Sequence, residues 1–335
     1  MLKFTRRAAI ASVAVLGLAA SSVPAFADGH KMTFTLATSG SETDQRSVAM
    51  AEVFAPMVAE FADYQPGYNG TLFAQGTELE AIAAGNLTMS IASAQELAQF
   101  FPEFSIFATG YVHQDAAHQV RVFNDPLMDP FKQTVEDELG VKLLSVMYLG
   151  RRHVNLRQTR EELDVQTPAD MAGVNLRMPG TDAWQFLGAA LGASPTPLAF
   201  SEVYTSLSSG AIDGQDNPLP TVVDQKFYEV TKQIALTSHL VDLNYIAFSL
   251  ETWNSLTPDQ QLTVQRAADA AAAVGRLRQL DKENSLADYI RSQGVEIYTP
   301  DLEAFRTHVQ AQYVGSEVAA SWPEGVLDRI NELGN

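Results

Sequence analysis

Residues 174–220 read VNLRMPGTDAWQFLGAALGASPTPLAFSEVYTSLSSGAIDGQDNPLP, and this stretch decides the fold class. Residues 174–178 form an apolar run stopped by Pro179-Gly180, the pattern of a short buried strand. Thr181 then caps a helix predicted to Leu187 and ended near Gly188. The same unit repeats: a strand over 196–200, Ser201 as cap, a helix to Ser208, and Gly210 as stop. A third strand is expected over 211–214, after which Asn217-Pro218 opens another helix with a cap and a first-turn proline. Repeated strand–helix units predict an α/β protein, whose ligands sit beyond strand carboxyl ends and at helix amino termini.

Arg177 stands inside the first of these strands. A charge there must reach water, pair with an internal acid or meet an external anion, because burial rejects an uncompensated ion. Its planar fork suits a carboxylate through two parallel hydrogen bonds. Asn217 has two readings as well, a helix cap or a hydrogen-bonding group at a strand end. The residues alone leave both questions open.

Working outward, the amino terminus reads as an export signal. Lys3, Arg6 and Arg7 precede an apolar run over 8–20, and Ala25-Phe26-Ala27 resembles a cleavage box, so residues 1–27 are expected to be removed. The apolar run is short for a membrane span, and no other segment reads as one. Arg6-Arg7 leaves the choice between general secretion and twin-arginine export open. The chain has no cysteine, which removes disulfides, thiol nucleophiles and thiolate metal sites. A formal charge of -18, from 22 Lys and Arg against 40 Asp and Glu, provides no basic stripe for nucleic acid. It does not exclude an anionic ligand, since surface charges are screened over about 8–10 Å and one desolvated arginine in a cleft outweighs them.

The first half predicts strands over 31–37, 69–73 and 87–91, with helices over 45–61, 78–85 and 93–100. Glu42 or Asp44, just past a strand end, can face a cleft there. Residues 141–149 form a strongly apolar strand that opens into Gly150-Arg151-Arg152-His153, a second concentration of positive charge. Trp184, on the helix after Arg177, either fills core or lines a pocket. A strand over 243–250 is followed by a helix from Thr257-Pro258 to about Ile290, long enough to brace two lobes. His113 and His118, five apart, are poorly spaced for a shared metal. An enzyme reading can assemble Asp213, Asp216, Glu202 and His239 as acid–base groups, but no nucleophile elbow, phosphate loop or HExxH accompanies them.

Several longer runs carry a resemblance: Leu176-Arg177-Met178-Pro179, LGASPTPLAFSEVYTSL over 191–207, GAIDGQDNP over 210–218, KFYEV over 226–230 and Thr237-Ser238-His239. With these the chain resembles the DctP-type solute-binding proteins of TRAP transporters. The resemblance implies a two-lobed periplasmic-binding-protein-like α/β fold with discontinuous lobes, a hinge and a long lobe-bridging helix. Lobe I is expected over 28–148 plus 243–282, and lobe II over 149–242 plus 283–335. It also implies roles: Arg177 holds a ligand carboxylate, Asn217 adds a hydrogen bond and Phe200 lays a ring against the ligand. Arg152 matches a further cleft arginine, with Arg151 and Arg157 as alternatives, and Glu78 matches an acid that approaches the ligand in some members. Trp184 and Glu42 complete the expected site.

The implied function is capture of a carboxylate-containing solute in the periplasm by cleft closure, and its delivery to TRAP membrane permease subunits, with no cofactor, metal or catalysis. The competing readings are a ligand-binding partner of a periplasmic sensor and an organic-acid hydrolase or lyase. The solute stays open between dicarboxylate, keto or hydroxy acid, sugar acid and zwitterion. A diacid would want a second cation such as Arg152 or Arg157, and a zwitterion an acid such as Glu42 opposite the arginine.

Overall fold

The computed structural model describes residues 31–335, and the expected signal peptide at residues 1–27 lies outside them. Among the described residues the strands are β1 (Met32–Ala37), β2 (Ala62–Gly67), β3 (Met89–Ser93), β4 (Val141–Leu156), β5 (Asn175–Met178), β6 (Ser194–Pro197), β7 (Gly214–Asn217), β8 (Gln233–Ser249) and β9 (Glu296–Tyr298). They form one mixed sheet in the order β2-β1-β3-β8-β4-β7-β5-β6, with β9 beside β8.

The sheet hangs on the antiparallel ribbon of β4 and β8, 16 and 17 residues long. β3 pairs with the later part of β8, at residues 244–248, and β9 with its start, at residues 233–235. β7 pairs with the last four residues of β4 only. Residues 150–152 and 240–242 therefore hold each other and no further strand. Register irregularities at Tyr148/Gly150 and Arg152/Val154 bracket this middle section. Gly150 sits there at φ 133, where an added Cβ would lie 2.6 Å from Pro218 and from Glu283 Oε1, so glycine is required on both conformational and steric grounds.

Hydrophobic cores lie on either side of this middle section in sequence. Phe104, Phe131 and Tyr245 belong to one core, and Phe34, Phe54 and Phe248 to a second; their strand residues come from β1, β3 and the outer end of the ribbon. Leu176, Trp184 and Phe305 belong to a third core, and Phe227, Ile234 and Ile290 to a fourth. The helix Pro258–Ser292, 35 residues and so about 52 Å long, contributes to both groups. Its small residues Ala267, Ala268 and Ala271 pack into the Phe34–Phe248 core, and Ile290 joins Phe227. Thr257 and Gln260 form a capping box at its start, with Pro258 at the first helical position. The last helix, Val326–Gly334, sends Ile330 into the core of Phe104 and Tyr245.

Four expectations on elements need correction. The strand expected at 69–73 is β2 at Ala62–Gly67, while Asn69 and Gly70 turn the chain at φ 56 and φ 68. The run expected to end at Leu149 continues to Leu156, and the one expected from 243 begins at Gln233. Charged and polar residues signalled a loop at both places, but Arg152, Asp242 and His239 find buried partners and the ladder continues. The strand expected at 211–214 is β7, which ends on Asn217; Pro218 takes the helix cap position.

Candidate functional site

β5 carries Arg177 into the interior, where the residue is 1% exposed. Its Nε donates to the Leu198 carbonyl at 2.9 Å and its Nη2 to Gln75 Oε1 at 3.0 Å. The guanidinium carbon lies 5.5 Å from the centre of the Phe200 ring. Among the described residues no carboxylate is within ion-pair distance of it. Burial pushes its pKa down to about 9, offset only in part by Asp216, which still leaves the group cationic at neutral pH.

Arg152 lies in the middle of β4 and is treated quite differently. Nε donates to Asp242 Oδ2 at 2.6 Å, and Nη1 donates to the Asp216 carbonyl at 2.8 Å and its Oδ1 at 3.3 Å. Its guanidinium stacks 4.4 Å from the Trp184 ring centre. The far oxygen of Asp216 is 3.1 Å from His239 Nε2, and His239 Nδ1 is 2.8 Å from the Thr237 hydroxyl. Burial alone would push Asp216 up, but Arg152 and His239 together hold it below the usual carboxylate range.

A third arginine comes from the helix start beyond β1. Asp44 caps the helix Gln45–Ala49 by accepting from the Arg46 N–H, and its two oxygens also take Arg46 Nε at 2.9 Å and Nη2 at 2.7 Å. Arg46 Nη1 reaches Asn244 Oδ1 on β8 at 2.5 Å. A π-helical turn, Met50–Phe54, follows at once, a distortion that often accompanies functional positions. Next to this wall, Ser93 and Glu96 form a capping box in which Glu96 Oε2 accepts the Ser93 N–H at 2.7 Å. Burial pushes Glu96 above the usual carboxylate range, and no cation pairs with it among the described residues.

These groups surround one cavity of about 40 Å³. Arg177, Arg152, Trp184, Phe200 and Asn217 all line it. Asn217 lies at the end of β7, its Nδ2 donating to Gln215 Oε1 at 2.5 Å. The indole N–H of Trp184 is buried and has no hydrogen-bond partner.

Glu42 and Glu78 are placed elsewhere. Glu42 is exposed on the loop after β1, while its neighbour Asp44 turns inward to line the cavity. Glu78 is buried behind the wall, accepting the Gly76 N–H at 2.6 Å, and burial next to Glu96 pushes it up to about 8. Of the other arginines considered, Arg151 points its Nη2 to the Gln114 carbonyl and Arg157 lies against Gly210. Sequence reasoning missed Arg46, Gln75, Glu96, Asp242 and Asn244. The local signals available were a capping acid two residues before a basic one, Asp44-Gln45-Arg46, and the Ser-x-x-Glu spacing of Ser93 and Glu96.

The four groups of the enzyme reading do not converge. Asp213 accepts from Gln158 and the Asn175 N–H, and Glu202 is exposed. Asp216 and His239 are fully buried and bonded to each other, and Asp216 is also committed to Arg152. Among the described residues no three His, Asp or Glu side chains gather as a metal site, and no helix is long and apolar enough to cross a membrane.

Comparison with known proteins places this geometry in context. Residues 42–317 match the family model of the bacterial extracellular solute-binding proteins, family 7. A crystal structure of a TRAP periplasmic solute binding protein from Roseobacter denitrificans, with bound 3-deoxy-D-manno-oct-2-ulosonic acid, is 75% identical to this chain. The match covers 91% of this chain and 100% of that one, with a TM-score of 0.91. A second structure from that organism, with bound L-galactonate, is 25% identical at a TM-score of 0.81, covering 92% and 100%. The sialic acid-binding periplasmic protein of Vibrio cholerae is 32% identical over 239 residues, 70% of this chain and 72% of the relative.

Proposed function

The chain belongs to family 7 of the bacterial extracellular solute-binding proteins, and from that membership we propose which solute it carries and how. It has the family's two-lobed α/β fold with a long bridging helix, and it is a periplasmic binding protein, not an enzyme, that delivers a carboxylate-type solute to a TRAP permease. Its solute is a polyhydroxylated monocarboxylate, an eight-carbon 3-deoxy-ulosonic acid or a close analogue.

The observation that carries this reading is the charge balance of the cavity. Arg46 is paired with Asp44, and Arg152 with Asp216 and Asp242, so among the described residues Arg177 is the one lining arginine with no acid in ion-pair contact. One open cation calls for one carboxylate. A diacid would bury its second charge against groups already paired, which costs several kcal/mol. The remaining wall, with Glu96, Asn244 and the spare N–H groups of Arg46, offers acceptors and donors suited to hydroxyls. The 75% identical relative holds a ligand of this chemistry, which supports the choice.

In this reading Arg177 takes the carboxylate, Asn217 and Phe200 set its orientation, and Trp184 covers the chain. Arg152 shapes the floor through its pairs rather than by meeting the solute. Lobe I, over 28–148 plus 243–282, and lobe II, over 149–242 plus 283–325, close by bending at residues 150–152 and 240–242, with the last helix joining lobe I.

Calorimetric titration of the mature protein with 3-deoxy-D-manno-oct-2-ulosonic acid, L-galactonate, sialic acid and succinate tests the assignment. The ulosonic acid should bind in the micromolar range or tighter, with succinate weaker by about 100-fold or more. Succinate binding as tightly as the sugar acids would overturn the charge count.

A further inference from the structure

The strap over residues 68–77 crosses from β2 to the helix Glu78–Ala83 and is pinned at both ends. At one end the N–H groups of Asn69 and Gly70 donate to the carbonyls of Gly40 and Thr38, at 2.9 and 3.0 Å. At the other, Gly76, at φ 91, donates its N–H to the buried carboxyl of Glu78. Between these anchors Gln75 is held out over the cavity. Its Oε1 accepts from Arg177 Nη2 at 3.0 Å and from the Phe200 N–H at 3.2 Å, contacts spanning 102 and 125 residues of sequence. Gln75 and Phe200 also border a second cleft, with Asn69, Ala74 and Ser201. One amide thus stands between the two clefts, and joins the strap to the cation that the solute needs.

We propose that Gln75 is the neutral latch of the cleft: its carbonyl closes the strap onto Arg177 and Phe200, and its lack of charge keeps Arg177 open to a solute carboxylate. This rests on the reading that Arg177 receives that carboxylate. The identity of the side chain is what matters. An amide oxygen and a carboxylate oxygen reach the same place, but only the carboxylate would neutralise the guanidinium and satisfy its fork. A glutamate at position 75 would be an internal copy of the solute's acid group. Glutamine accepts the same hydrogen bonds and leaves the charge uncancelled. Glu78 has a positioning role in this arrangement, because its buried carboxyl fixes the residue next to the latch.

Two variants of the mature protein test the latch, by calorimetric titration with 3-deoxy-D-manno-oct-2-ulosonic acid and by thermal melting without solute. Gln75→Glu should melt above the parent while losing about 100-fold in affinity. Gln75→Leu should lose about tenfold in affinity with no gain in melting temperature. The gain of Gln75→Glu should vanish in an Arg177→Met background, which shows that the new carboxylate acts on that guanidinium. Affinities of both variants within threefold of the parent, or a Gln75→Glu gain that persists without Arg177, would overturn the proposal. Failure of the parent itself to bind the ulosonic acid would instead overturn the solute assignment, and the melting comparison would still decide the latch.

Discussion

Arg152 and Arg177 are both almost completely buried, and each lies over an aromatic ring, yet they face opposite electrostatic conditions. Arg152 is tied to two carboxylates, and one of these is tied onward to His239. Arg177 has an amide, a backbone carbonyl and a ring, none of them charged. Burial of an ion pair contributes little net stability, but loss of one partner strands the other. Burial of a lone ion is a standing cost that a ligand can relieve. The first arginine therefore belongs to the fold and the second to the solute, a difference that burial and residue type alone do not reveal.

The comparison breaks most readily at Arg152. Arg152→Met should destabilise the protein by about 3–5 kcal/mol, because Asp216 and Asp242 lose their cation. Urea unfolding measures this, and a variant as stable as the parent would place Arg152 with Arg177 instead. Arg177→Met should reduce sugar-acid affinity by about 2–5 kcal/mol while leaving the unfolding midpoint equal to the parent's or higher. Calorimetry and urea unfolding on the same sample separate the two effects, and a large stability loss would show that Arg177 supports the fold after all.

The smallest effect sharpens the contrast through an acid. Glu78 is pushed up to about 8, above its ordinary 4.5, so the folded protein keeps a proton that the unfolded chain releases. Its contribution is complete below pH 4.5, falls as pH rises towards 8, and is flat above that. Glu78→Gln should therefore flatten the decline in melting temperature between pH 5 and pH 8, by about 2–4 °C for each kcal/mol of this linkage. Glu96, raised by its own burial, keeps part of the slope. An unchanged slope would show that the proton is held elsewhere.

Legibility from sequence followed the same divide. Arg177, Phe200 and Asn217 lie within one run of strand–helix units, so local pattern and resemblance together reached them. The opposing wall is assembled across distance: Arg46 meets Asn244, 198 residues away, and Gln75 meets Arg177. No local pattern announces such contacts. The ribbon was misread for a related reason. Gly150-Arg151-Arg152-His153 has the composition of a loop, and only the buried acids from β7 and β8 make it a strand. Glu42 and Asp44 were equivalent as acids after a strand. Asp44 alone has Arg46 two residues on, and this pair turns it inward.

The ribbon also determines where the chain should resist exchange of its amide hydrogens. In the proposed closure residues 150–152 and 240–242 form the joint between the lobes, and these residues pair with each other between two register irregularities. A bend taken up at those irregularities leaves the ladder hydrogen bonds between them in place, so in this reading movement and local unfolding are separate events. The joint should exchange as slowly as the cores on either side of it, while the strap around Gln75 exchanges early.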